Sequence, residues 1–138
     1  MNRLYRFGVS LEKTLIDKFD KLIKSKNYTN RSEAIRDLIR DELVKKQWEE
    51  GGEVAGAIVL IYDHHKKELS EKLVDIQHDF QQMIISTQHV HLDHHNCLEI
   101  IAVKGASKEM QKLENLLKAL KGVKHVSLSM SSTGKDLD

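Results

Sequence analysis

The sequence predicts an α+β chain in two parts, and three observations lead there. Residues 4–11 alternate in polarity and are followed by two stretches with apolar residues at helical spacing. Beyond a Gly51-Gly52 pair the patterns read strand, helix, strand, strand, helix, strand. Charge divides near the same place: residues 1–47 carry 12 Lys/Arg against 7 Asp/Glu, and the rest carry 10 against 14. The expected organisation is therefore residues 1–50 and residues 51–138, a length that permits one ordinary domain or two small ones.

In the first part, Phe7, Val9 and Leu11 share one face of the alternating segment, with Arg6, Gly8 and Ser10 on the other, as in a half-buried strand. A first helix is expected over about 12–26, with Leu15, Ile16, Phe19, Leu22 and Ile23 on one stripe. Asn27-Tyr28-Thr29-Asn30 breaks it. A second helix starts with Asn30 as N-cap and Glu33 three residues on, and continues to about Trp48. One strand and two helices hold too little core to fold alone, and both edges of that strand lack a partner. A second copy resolves both problems: two strands pair antiparallel and four helices close over them. The ribbon would then display Arg6, Gly8 and Ser10 twice on one surface, a shape that fits the DNA major groove. The helix start at Asn30, Arg31 and Ser32 would offer backbone N–H groups to a phosphate.

In the second part, strands are expected at 54–62, 87–92, 97–104 and 123–130, with helices at about 66–85 and 108–121. That order is the split βαβ, ferredoxin-like arrangement, with both helices on one face of an antiparallel sheet. No glycine-rich phosphate loop is present.

Composition narrows the function classes. The longest apolar run, residues 57–62, is far too short to span a bilayer. The N-terminus lacks the apolar core of a signal peptide. A single cysteine excludes an intrachain disulfide and fits a reducing cytosol. A cytoplasmic protein with no membrane partner is the expectation, and the basic first part favours nucleic acid.

Eight histidines accompany that cysteine, and all but His125 lie between residues 64 and 95. His89 and His91 share a strand face. If the following hairpin pairs residue 91 with 97, Cys97 and Glu99 join that face, whereas a register one residue away would scatter them. Imidazole and thiolate together suit zinc, nickel or copper and disfavour magnesium or calcium. His78 lies about 200° around its helix from both Ile76 and Phe80, on a polar stripe away from the core. As a ligand it would have to meet the site of another subunit. His64 ends a strand and could stand beside the site; His94 and His95 sit in a turn, as solvated residues do.

Three classes remain at this point: a metal-responsive DNA-binding regulator, an enzyme using Cys97 with His89 or His91, and a DNA-binding dimer sensing an organic ligand. The enzyme lacks an acid/base constellation beyond Glu99, and four protein ligands would leave no open position for substrate. A non-enzyme is expected.

The stretch Asn30-Arg31-Ser32-Glu33-Ala34-Ile35-Arg36-Asp37 is similar to the second helix of ribbon-helix-helix repressors. With Gln77-His78, His89-Val90-His91 and Asn96-Cys97-Leu98-Glu99, the chain resembles the nickel-responsive NikR family from residue 4 to about 130. The resemblance implies a ribbon-helix-helix DNA-binding domain and an ACT-like, metal-binding and tetramerisation domain. It implies one Ni(II) per subunit, held in a square-planar site by His89, His91 and Cys97, with His78 from a facing subunit. Tyr62 and His64 match positions near that metal, and Glu99 matches a carboxylate beside the ligands. Glu33 and Asp37 match a further cation site. Arg6, Gly8 and Ser10 match the base-reading positions, and the chain departs from the pattern at Gly8, where the family carries a hydroxyl residue. The implied function is repression of nickel-uptake genes by a homotetramer, a dimer of dimers, on a palindromic operator.

Overall fold

The computed structural model describes residues 3–138. Two helices come first, α1 (Lys13–Ser25) and α2 (Arg31–Glu50), followed by β1 (Glu53–Tyr62), α3 (Lys67–Asp79), β2 (Ile84–His91), β3 (Cys97–Ala106), α4 (Ser107–Ala119) and β4 (Val123–Met130). Contacts divide the chain into two compact units: the stretch up to Leu43 with Asp136–Asp138, and Val44–Lys135. That division falls inside α2, upstream of the Gly-Gly pair, because the last turns of the helix belong with the sheet. Trp48 is buried, its Nε1–H donates to the Ser131 carbonyl at 2.8 Å, and its own carbonyl accepts from Ser107 Oγ at 2.8 Å.

In the first unit the N-cap reading holds, since the Glu33 N–H donates to Asn30 Oδ1 at 2.9 Å. The reciprocal half of a capping box does not form: Glu33 Oε2 accepts instead from Thr29 Oγ1 at 3.0 Å. The expected strand over residues 4–11 forms no ladder in the single chain. Its apolar side chains are open to solvent, Phe7 at 66% and Val9 at 60%, and so are Leu15, Leu22, Leu38 and Ile39 of the helices. The physical reason lies in the sequence: a lone strand has no partner within its own unit.

The second unit is a four-stranded antiparallel sheet in the order β2-β3-β1-β4, which is the ferredoxin-like topology. Residues of β1 and β3 alternate between buried and half-buried. The buried set, Ile58, Leu60, Ile101 and Val103, packs with Leu69 and Leu73 of α3 and Met110, Leu113 and Leu117 of α4. The alternate set, including Val59, Ile61, Leu98 and Ile100, makes a half-buried apolar row on the opposite face. Strand β2 starts earlier and α3 ends earlier than the periodicity suggests. The Phe80 N–H closes the helix on Ile76 and Gln77 carbonyls, and β-branched Ile84 and Ile85 then enter the sheet edge.

Gly56 shows how tightly β1 and β4 approach. A Cβ there would lie 2.5 Å from the Ser129 carbonyl oxygen, so only glycine fits without displacing backbone. Gly56→Ala should cost about 1–3 kcal/mol through overpacking, read as a lower urea midpoint at unchanged m-value.

Candidate metal centre

Cys97 is the first residue of β3 and is fully buried. The register sets His91 opposite it on one side and Tyr62 on the other, and His89 opposite Glu99. This is the pairing on which convergence of the two histidines and the thiol depends. Asp93 holds the turn between β2 and β3, accepting from the His95 N–H at 2.9 Å and from Asn96 Nδ2 at 2.9 and 3.0 Å. These hydrogen bonds keep the Asp93 carboxyl below its usual range.

At the end of the helix-covered face, His64 Nδ1 lies 2.6 Å and His91 Nδ1 3.8 Å from Cys97 Sγ. The donor atoms of His64, His91 and Cys97 all fall within 4.8 Å of one another. His89 adjoins them, its ring centroid 5.1 Å from that of His91. The His89 Nδ1 is 3.3 Å from the Tyr62 hydroxyl. Burial, then the charges of Glu99 and Cys97, push the Tyr62 phenol well above its ordinary range. A tyrosine kept protonated can donate to an imidazole nitrogen or accept from an N–H, so it orients the His89 ring in either tautomer.

His64 is held below the ordinary histidine range by burial, then by neighbouring His65 and His91. As pH falls, the unfolded chain therefore takes up this proton first. The stabilisation is complete above the ordinary value of about 6.5 and is lost as pH drops through the folded value.

The remaining expected residues lie elsewhere. His78 is exposed in the last turn of α3 and joins no three-donor group among the described residues. Glu33 and Asp37 stand one turn apart on α2, and Asp37 Oδ2 accepts from the Tyr28 hydroxyl at 2.6 Å. Arg6, Gly8 and Ser10 are exposed. Arg31 is engaged by Asp20 in a two-pronged pair at 2.8 and 2.9 Å, an arrangement that its position next to the N-cap does not reveal. Asn30 is spent on the cap. The closeness of His64 to the thiol was only partly legible from sequence, because it depends on how the loop after β1 folds back over the hairpin.

The residues present fit a borderline transition ion. A buried thiol has imidazole nitrogens around it, and Glu99 Oε2 beside them is buried with no hydrogen-bond partner among the described residues. Oxygen-preferring ions would find one carboxylate and no further oxygen cage.

Fold and donor set together define a ferredoxin-like domain fitted to take a transition metal, preceded in the sequence by a helical unit that lacks a complete core. The family model described as the NikR C-terminal nickel-binding domain matches residues 55–131, and the ribbon-helix-helix, copG-family model matches residues 5–46. The chain belongs to the NikR family of nickel-responsive ribbon-helix-helix regulators, and is not an enzyme. It is 67% identical to a protein of Chlorobium limicola named a nickel-responsive regulator, over 97% of this chain and 100% of the relative. It is 63% identical to one of Syntrophus aciditrophicus so named, over 98% of each. Among solved structures, an uncharacterized Thermotoga maritima protein, TM1266, superposes with a TM-score of 0.51 at 12% identity. That match covers 55% of this chain and 94% of the other, a likeness of fold alone. Among the described residues no helix is long and apolar enough to cross a membrane.

Proposed function

We propose that this nickel-responsive regulator binds a palindromic operator when Ni(II) is bound and represses nickel-uptake genes from the cytoplasm. The observation that carries the reading is the convergence of His91 and buried Cys97, in the register that also sets His89 on their face. In this reading His89, His91 and Cys97 hold one Ni(II) per subunit, with His78 supplied by a facing subunit. Tyr62 and Glu99 steady the ligands, and His64 partners the thiol in the chain alone. The bound ion supplies a cross-link between subunits.

Two features support a homotetramer assembled as a dimer of dimers. The half-buried apolar row on the uncovered sheet face offers a surface to a second copy, and exposed His78 is available to a neighbour's site. The exposed apolar set of the first unit supports strand pairing into a ribbon bearing Arg6, Gly8 and Ser10. Arg31 and Ser32 would approach phosphate, Arg31 by exchanging its Asp20 partner. A further cation at Glu33 and Asp37 completes the reading, supported by their spacing of one turn. Nickel acts only insofar as it binds the DNA-competent arrangement better than the alternative.

Selection of bound duplexes from a random pool, with and without Ni(II), tests the function. Enrichment of a palindrome only with nickel is expected; recovery of no common sequence would refute operator binding. Arg6→Ala should weaken binding to the enriched palindrome by about 10-fold or more, the worth of one good base contact, at unchanged nickel stoichiometry.

A further inference from the structure

Strand β4 starts with an irregularity. It pairs with β1 as Ile61 with His125 and Tyr62 with Val123, which leaves Lys124 as the extra residue of a β-bulge. Val123, Val126 and Leu128 all pack on the hydrophobic core. In a regular strand of period two, Val126 and Leu128 would bring Lys124 to that core face as well. The bulge gives the inward position to Val123 and turns Lys124 out, where it is exposed.

The lysine then reaches the turn between β2 and β3. Its Nζ donates to Asn96 Oδ1, and Asn96 Nδ2 donates onward to both carboxylate oxygens of Asp93. The Asn96 carbonyl accepts the Leu92 and Asp93 N–H groups at 3.0 and 3.2 Å, closing the hairpin. Asn96 therefore holds the turn through backbone and side chain together, and Lys124 ties it to a strand at the other edge of the sheet. Cys97 follows Asn96 directly and His91 precedes Leu92, so the closing pair of the hairpin lies between the two donors.

We propose that Lys124 is a positioning residue for the metal centre. Swung out by the bulge, it straps the β2–β3 turn through Asn96 and so fixes the spacing of His91 and Cys97, without touching the ion. Bulges beside functional sites re-aim side chains in this way. The inference rests on the reading that His91 and Cys97 ligate nickel.

Competition for Ni(II) between the full chain and a chelator, with the thiolate-to-nickel band recorded, tests it. Lys124→Met keeps the apolar stem and removes the donor. It should weaken nickel binding by about 10-fold, the lower end for groups that orient a ligand, and shift the band. The urea midpoint of the metal-free protein should not move, since an exposed contact contributes little to stability. Added to Asn96→Ala, Lys124→Met should cost nothing more, because the two act as one unit. Unchanged nickel affinity in Lys124→Met overturns the proposal. So does a full further loss in the Asn96→Ala background, or a lowered urea midpoint, which would make Lys124 a folding residue. Amide exchange in the metal-free chain separates the strap from the nickel reading. The Leu92 and Asp93 N–H groups should exchange several-fold faster in Lys124→Met, even if the unaltered protein shows no band; equal exchange rates overturn the strap.

Discussion

Cys97→Ala should abolish thiolate-to-nickel charge-transfer absorption and remove nickel-dependent operator binding, leaving a folded oligomer. The sulfur belongs to the single thiol of the chain, and it is fully buried between His91 and Tyr62 in the sheet register. Groups that merely orient a ligand are worth about 10–100-fold in metal affinity; loss of the thiolate itself should exceed about 100-fold. Acid should act in the same direction, since thiol and imidazoles must shed protons before they ligate. His89→Ala is the companion test. It leaves the sulfur in place, so a weakened band with a shifted position is expected in place of none. Nickel-stimulated operator binding by the Cys97 variant at wild-type strength would remove the thiol from the site.

Val9→Asp should have an equally large effect in the first unit. Val9 is 60% exposed in the single chain and shares a face with Phe7 and Leu11. Pairing two copies would bury that face twice, so the substitution sets two carboxylates into one apolar interface. Unpaired charges in such a place cost several kcal/mol each, more than a small interface can offset. Sedimentation should show the assembly reduced to the species held by the sheet domain, with operator binding lost. The nickel charge-transfer band should survive, because Cys97 lies in the other unit. Unchanged DNA affinity would mean that the strand is not the dimer ribbon.

How far the sequence speaks for itself differs between elements. Helices α1, α2 and α4 were legible because their apolar residues recur at helical spacing and Asn30 marks a start. The α3–β2 boundary was not: Met83, Ile84 and Ile85 fit the end of an amphipathic helix as well as the start of an edge strand. Pairing with β3, where Ile84 meets Val103, settled it as strand. The strand over residues 4–11 is the converse case. Its alternation is plain in the sequence, yet a single chain supplies no hydrogen-bonding partner for it.

The sequence by itself determined the order of elements, the need of the first unit for a second copy, and the softness of the donors gathered around one cysteine. Those follow from periodicity and residue type, which are local properties. Only the tertiary structure decided which donors meet. The pairing of His91 with Cys97 is a matter of register, and one residue's slip would turn the histidines to the other face. The approach of His64 to the sulfur, and of His65 and His95 to Asp63, depends on two loops folding against each other. Loop closure of that kind is set by the packed sheet beneath, and neither spacing nor composition encodes it.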